Sequence, residues 1–546
     1  MTLRRVGRPA SRVRSRSLEW LLVAALGAAS VGAHPVCACT LVTDASAQPV
    51  ARSCSLEEVL TNVRDAMGLD ALAARREPIY MSGTGEVGGM PCTIEQVLAP
   101  DGRSYRRVNA AITMESGFDG TDHWVRDIGG EYRTLGLGNL VEAEITGSLL
   151  SGAWTTSGSP LRLALGESEA DAVLLTFTID GAETTGRILI DPATWLPTRW
   201  EFTSGASTQT LVIEGEVALD GFRTPRKVTQ MTSEGASNAF GVDQLRAASI
   251  DESAWLTPEK SPPADTTWNP GVSGVLEVRK APTGHILVHP LVGGKDVGWF
   301  IFDSGAGANV LASGAMGDLG VEPFGEVPAV GVGGTTKARF VRPSEITVGP
   351  MTYRDPLMVV MDLAFLEPYM GVKVGGILGF SFLARCVAEV DFADGHIAIH
   401  DPAAFDRSAH PWTALILDER IPCVRASVEG HEGWFRLDTG ANGNLTMHEP
   451  AVRELKLLEG RDASEAQLGG VGGFVKAKKA TLTSFEIGAQ RIENMSAEFA
   501  IEPVGAFGDS STMGNVGNGL IRRFRVVFDY PHSRMAFLTR ESAAKE

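Results

Sequence analysis

A nine-residue motif occurs twice in this chain with six positions identical, and that repetition constrains the fold more than any other feature. Gly298-Trp299-Phe300-Ile301-Phe302-Asp303-Ser304-Gly305-Ala306 returns 135 positions later as Gly433-Trp434-Phe435-Arg436-Leu437-Asp438-Thr439-Gly440-Ala441. Five further landmarks keep step. Asn309 pairs with Asn444, and Gly331-Val332-Gly333-Gly334 with Gly470-Val471-Gly472-Gly473. Ile346-Thr347-Val348-Gly349 pairs with Phe485-Glu486-Ile487-Gly488, and Gly376-Ile377-Leu378-Gly379 with Gly514-Asn515-Val516-Gly517. Val390-Asp391-Phe392 pairs with Phe528-Asp529-Tyr530. Collinear matches over a whole unit indicate duplication. Short apolar stretches such as Gly284 to Val292 and Cys423 to Val428 read as strands, and 62 glycines suit many tight turns. Each unit is therefore expected to be a small, mainly β domain.

The repeat also dictates a chemistry. One aspartate at the end of an apolar run is an ordinary turn residue, but two such aspartates in duplicated units make a carboxylate pair. Two carboxylates a few ångström apart cannot both ionise cheaply, so they share a proton. The ionised member can take a proton from a water, while the protonated member hydrogen-bonds a carbonyl under attack. Asp303 and Asp438 are the candidates, and the pair titrates as a unit. Gly305 and Gly440 supply backbone freedom for a tight loop under each carboxylate. Ser304 and Thr439 carry hydroxyls able to lock the two loops together across a pseudo-twofold axis.

Phe302-Asp303-Ser304-Gly305-Ala306 and Leu437-Asp438-Thr439-Gly440-Ala441 resemble the active-site motifs of retropepsin-type aspartic proteases, specifically bacterial tandem aspartyl protease family proteins. Gly376-Ile377-Leu378-Gly379 and Gly514-Asn515-Val516-Gly517 are similar to the family's later glycine motif. The resemblance spans roughly 272–541. It implies an all-β fold in which two retropepsin-like domains pair as an intramolecular pseudo-dimer. It also implies an endopeptidase that needs no cofactor and acts on a polypeptide substrate. Gly333 and Gly334, with Gly472 and Gly473, resemble the tips of two flaps. Two departures fall in the second unit: Arg436 stands two residues before Asp438, and Asn515 replaces the Ile377 of the first motif. They support a second reading, a catalytically weak or inactive periplasmic protein that binds peptide or lipid on a protease scaffold.

The rest of the chain divides by composition. Residues 1–33 read as an export signal: six arginines, a short apolar core from Trp20 to Ala29, and small residues at Val31-Gly32-Ala33. Val36-Cys37-Ala38-Cys39 is a loose lipobox, with Cys39 as the candidate lipid anchor and the one expected membrane contact. The expected location is the periplasm, the outer-membrane surface or the medium. A net charge of −17 argues against nucleic acid as a partner. Thr257 to Asp265 is proline-rich, which places a linker at 257–271 between a domain at 50–256 and the units at 272–402 and 413–541.

The 50–256 region begins with a helix expected over Ser55 to Met67. Strands then follow at Ile79–Val87, Ser104–Ala110, Thr121–Arg126, Ala172–Ile179, Arg187–Ile190, Thr198–Phe202 and Gln209–Val217, the pattern of a broad, curved antiparallel sheet. Gly83-Thr84-Gly85-Glu86-Val87-Gly88 matches a dinucleotide-binding glycine pattern without the βαβ context, so a strand or turn is expected. Residues Gly117 to Trp124 and Ile190 to Pro197 resemble periplasmic lipoprotein-carrier (LolA-like) proteins. That resemblance implies a half-barrel able to hold an apolar ligand; the alternative is a spacer that docks the protease. Cys54 with Cys92 and Cys386 with Cys423 are candidate disulfides, a buried free thiol at Cys386 being equally compatible with its apolar surroundings.

Overall fold

The computed structural model describes residues 54–539, apart from 168–171, 180–183, 205–206, 234–236, 260–262, 409 and 489. The expected export signal, Cys37 and Cys39 lie outside the described residues. The chain is mainly β.

The first helix, Leu56–Met67, is set by its ends. Ser55 and Glu58 form a reciprocal capping box, and Gly68 closes the helix in the left-handed conformation. Val59, Val63 and Met67 recur at helical spacing and are buried. They face a 14-stranded antiparallel sheet formed by residues between Ile79 and Ala247. A third helix, Leu137–Ser151, buries Ile145 and Leu149 in the same core as sheet residues Trp200, Phe202 and Phe177. Full burial of each such aromatic contributes about 2–3 kcal/mol. The expected strands are present with ends moved by a few residues, for example Pro197–Ser204 and Ser207–Leu219. The Gly83 to Gly88 segment is strand and turn. A Cβ at Gly83 would sit 1.9 Å from Gly241 O, so these glycines serve close strand approach. Met67, Asp191, Leu196, Ile213, Glu216 and Arg223 are among the residues lining a cavity of about 580 Å³ in this domain.

The two C-terminal units have the same topology, strand for strand. In the first, the sheet order is 278–280, 286–288, 299–302, 374–378, 310–312, 358–361, 334–341, 324–331. In the second it is 416–418, 421–428, 431–438, 514–517, 445–447, 490–500, 473–487, 464–470. Both place the aspartate-bearing strand parallel to the later glycine-motif strand. A separate five-stranded sheet joins the units: Val387–Asp391 of the first pairs with Phe524–Asp529 of the second, in register Val387↔Asp529. One hydrophobic core runs through both units, from Phe302 and Phe382 to Leu437, Phe485 and Phe528.

Three sequence expectations change. The segment read as linker is structured at its end: Thr266–Trp268 forms a strand against Met351–Tyr353. Two threonines and a tryptophan suit an edge strand, and the pairing lies 85 residues away, beyond the reach of local composition. Neither candidate disulfide forms, because Cys54, Cys92, Cys386 and Cys423 are free. Cys54 and Cys92 pack in different hydrophobic clusters, and the buried Cys386 and Cys423 thiols donate to the backbone carbonyls of Phe382 and Ile421. Among the described residues, no helix is long and apolar enough to cross a membrane.

Candidate active site

Each aspartate closes a buried strand. Trp299–Phe302 delivers Asp303, whose N–H donates to Leu378 O at 3.0 Å; His431–Asp438 delivers Asp438. The residues just before them, Phe302 and Leu437, are fully buried, while both aspartates keep part of their surface exposed.

The two loops are interlocked by four hydrogen bonds. Ser304 N–H donates to Thr439 Oγ1 at 2.8 Å, and Thr439 N–H donates to Ser304 Oγ at 3.1 Å. Each hydroxyl then passes its own proton onward: Ser304 Oγ to Leu437 O at 2.7 Å, and Thr439 Oγ1 to Phe302 O at 3.0 Å. Ser304 and Thr439 are completely buried, so their donors and acceptors are satisfied across the pseudo-twofold axis and nowhere else.

Gly305 and Gly440 are required for space. Neither has a positive φ, so the expected backbone freedom is not what fixes them. A Cβ at Gly305 would lie 2.3 Å from Asp438 Oδ1, and one at Gly440 would lie 2.4 Å from Asp303 Oδ1. Each carboxylate thus rests on the backbone of the opposite loop. Each is also held by its own loop: Gly305 N–H donates to Asp303 Oδ1 at 2.8 Å, and Gly440 N–H donates to Asp438 Oδ1 at 2.9 Å. Burial pushes both carboxyls up. Asp438 rises to about 7, raised first by burial and then by the Asp303 charge beside it.

Behind the loops the glycine motifs close the floor. A Cβ at Gly379 would come within 2.4 Å of the Ala306 and Ala308 carbonyls, and one at Gly517 within 2.4 Å of Gly443 O. Asn309 accepts from Gly379 N–H at 2.9 Å, which explains an asparagine six residues after Asp303. Its counterpart Asn444 donates to Ser496 O at 3.3 Å instead.

The hairpin tips at 331–334 and 470–473 meet each other. Gly333 N–H donates to Val471 O at 3.1 Å. A Cβ at Gly333 would lie 2.3 Å from the Gly473 backbone, and one at Gly472 would lie 2.6 Å from Gly334 O. Gly334, Gly472 and Gly473 hold φ of 118°, 86° and 118°, which only glycine adopts without strain.

Several groups at the site carry no local sequence signature. His285 Nε2–H donates to Gly440 O at 2.7 Å, and Thr283 Oγ1–H donates to its Nδ1 at 2.6 Å. Burial lowers the His285 pKa, which keeps the ring neutral in this role. On the other side, Arg420 of the second unit lies against Gly307 and pairs with Asp127 of the N-terminal domain at 3.1 Å. Asp127 also pairs with Arg133 at 2.7 Å. The N-terminal domain is anchored a second time where Arg385 meets Glu131, Gly129 O and Asp265.

The halves differ at one register pair. Ile301 is opposite Ile377 in the first unit; Arg436 is opposite Asn515 in the second. Arg436 is buried and fully engaged, to Asp418 at 2.6 Å, Asp509 at 2.8 Å and Ala506 O at 3.2 Å. Asn515 Nδ2–H donates to Asp438 Oδ2 at 3.3 Å.

Duplicated loops interlocked beneath a carboxylate pair, with two facing hairpins at the edges of the same two sheets, match the arrangement expected from the repeated motif. The aspartyl protease family profile matches twice, over residues 288–382 and 424–521, so each of the two C-terminal units is similar to that family. Solved structures similar to the chain include an aspartic proteinase from Irpex lacteus (14% identity, TM-score 0.33), covering 50% of this chain and 100% of that one. Others are a DUF1329 family protein from Desulfovibrio piger (14%, TM-score 0.26; 36% and 96% covered) and a LolA superfamily protein from Nitrosomonas europaea (12%, TM-score 0.27; 35% and 96% covered). No curated protein matches the chain.

Proposed function

We propose that the protein is an exported aspartic endopeptidase in which Asp303 and Asp438 share a proton and activate a water against a peptide carbonyl. The single observation that supports this reading most is the reciprocal seating of each carboxylate on the glycine of the opposite loop. It brings together two acids with raised pKa values, the condition for one to act as base while the other donates a hydrogen bond. Ser304, Thr439, Gly305 and Gly440 hold that pair, and the hairpin tips at Gly333, Gly334, Gly472 and Gly473 act as flaps over a polypeptide substrate. Export rests on residues 1–33 alone. An apolar ligand in the N-terminal domain is a separate proposal that rests on the half-barrel resemblance; the cavity lined by Met67, Leu196 and Ile213 also carries Asp191, Glu216 and Arg223.

The test is a casein and peptide-library assay from pH 3 to 8 with the wild type, Asp303→Asn and Asp438→Asn. Cleavage by the wild type and loss of at least about a hundredfold in each single variant is expected. Full activity in either variant would sink the shared pair. A folded wild type that cleaves nothing would favour the binding-protein reading.

A further inference from the structure

Asp438 has a polar chain behind it that Asp303 lacks. Asn515 lies between Asp438 Oδ2, at 3.3 Å from its Nδ2, and His448 Nε2, at 3.1 Å from its Oδ1. On the far side of the imidazole, Nδ1 is 3.1 Å from Thr512 O and 3.2 Å from Thr512 Oγ1. In the first unit the position of Asn515 is Ile377, and the position of His448, 135 residues earlier, is Ser313. His448 and Thr512 are buried, and Asn515 is 7% exposed, so each polar atom must find its partner inside the chain.

We propose that Asn515 and His448 are positioning residues that give Asp438 a matched partner in both of its protonation states, and so break the symmetry of the pair. The inference rests on the proteolytic reading for its purpose, though not for its geometry. When Asp438 is ionised, Asn515 Nδ2–H donates to Oδ2. Asn515 Oδ1 then accepts from His448 Nε2–H, and His448 Nδ1 accepts the Thr512 hydroxyl proton.

When Asp438 is protonated, the amide turns over. Asp438 Oδ2–H donates to Asn515 Oδ1, Asn515 Nδ2–H donates to His448 Nε2, and His448 Nδ1–H donates to Thr512 O. Thr512 Oγ1–H is then released to Asp509 Oδ2, 3.0 Å away. The proton count balances. Asp438 gains one proton from solvent, and the imidazole stays neutral, its single ring proton carried on Nδ1 instead of Nε2. An acceptor carbonyl and a donor hydroxyl both within reach of one ring nitrogen is what two neutral tautomers require. Burial, reinforced by Arg436, lowers His448 to about 4 and keeps the ring neutral above that pH. The charged and titratable neighbours are Asp303 and His285 on the dyad side, Arg436 and Asp509 behind the ring, and Glu498 beside Gly443.

The experiment follows the His448 ring by nitrogen NMR of histidine-labelled full-length protein from pH 5 to 9, its signal assigned by its loss in His448→Gln. The expected result is a shift from the Nδ1–H to the Nε2–H tautomer as pH rises through the dyad titration. In Asp438→Asn, whose amide donates at the Oδ2 position, the ring should stay Nδ1–H throughout. A tautomer that is the same at every pH and in Asp438→Asn overturns the proposal. A kinetic arm uses Asn515→Ile, the residue the first unit carries. Asn515→Ile removes the partner of both forms, but the charge-assisted bond to the carboxylate is about twice as strong as the neutral bond to the carboxyl, so Asp438 ionises later and the basic limb of the kcat/KM profile moves up by about half a unit or more, with KM changed less than about twofold. An unmoved limb also overturns the proposal. If the wild type cleaves no peptide, the proteolytic reading fails and the NMR arm alone decides the relay.

Discussion

Replacing Asp438 by asparagine should remove activity and yet stabilise the protein at alkaline pH. The Asp438 carboxyl is raised from 3.8 to about 7, first by burial and then by the Asp303 charge. A carboxyl whose folded pKa exceeds its unfolded one contributes stability that is fully present below the unfolded value. That contribution is lost as pH rises through the folded value. Here the window runs from about 4 to about 7, and above it the fold carries a charge it holds poorly. Three pK units correspond to about 4 kcal/mol as an upper bound, and a carboxylate still partly open to solvent warrants about half, ~2 kcal/mol. Asparagine keeps the oxygen that accepts from Gly440 N–H at 2.9 Å and is neutral at every pH. Asp438→Asn should therefore melt about 4–8 °C above the wild type at pH 8, the gap closing toward pH 4. Calorimetric scans of both proteins at half-unit pH steps would measure it. A gap that is flat with pH, or a variant less stable at pH 8, would refute proton sharing at this site.

Three other substitutions test the frame around the pair. Gly440→Ala would drive a methyl to 2.4 Å from the Asp303 carboxylate, so kcat should fall at least about a hundredfold while circular dichroism stays native. Thr439→Val deletes the hydroxyl that accepts from Ser304 N–H and donates to Phe302 O; two buried partners left unpaired should cost about 2–4 kcal/mol in urea unfolding. Arg385→Met strips the buried Glu131 of its cation and breaks the Asp265 contact. A loss of about 3–5 kcal/mol, with faster trypsin cutting near 257–262, is the expected outcome, and unchanged cutting would show that the N-terminal domain docks elsewhere.

The features legible in the sequence are those the backbone imposes. Asp303 and Asp438 must end strands, Gly379 and Gly517 must pass within a carbonyl's reach of the loops, and the glycines at 333–334 and 472–473 must turn, so all recur at fixed spacing. What stayed hidden depends on side chains that meet from distant segments. His285 reaches Gly440 across 155 residues and His448 reaches Asn515 across 67; a lone histidine has no pattern to announce either contact. Thr266–Trp268 looked like linker because its partner strand is supplied by Met351–Tyr353. At Gly305 and Gly440 crowding, not φ, demands the glycine, and sequence shows that a glycine is present but not which of the two requires it. The helix Leu137–Ser151 carries no clear apolar stripe, because Ala143, Ile145, Ser148 and Leu149 are buried together without one.

A tandem chain can do what a homodimer cannot, because each half may carry a different residue at an equivalent position. In a symmetric pair an arginine at the Ile301 position would place two guanidiniums behind the carboxylates and hold both ionised. Here there is one, and it does not face the pair unopposed. Asp418, at the end of strand 416–418, and Asp509, beyond the turn at Gly505–Gly508, take up the Arg436 guanidinium at 2.6 and 2.8 Å. Two carboxylates outweigh one cation, and Asp418 itself is pushed up to about 7, burial leading, so near neutrality the cluster carries little net charge. The substitution that most suggested a disabled second unit is thus electrically silenced where it stands. Its register partner Asn515, the other departure, contributes a hydrogen bond to Asp438 instead of blocking it.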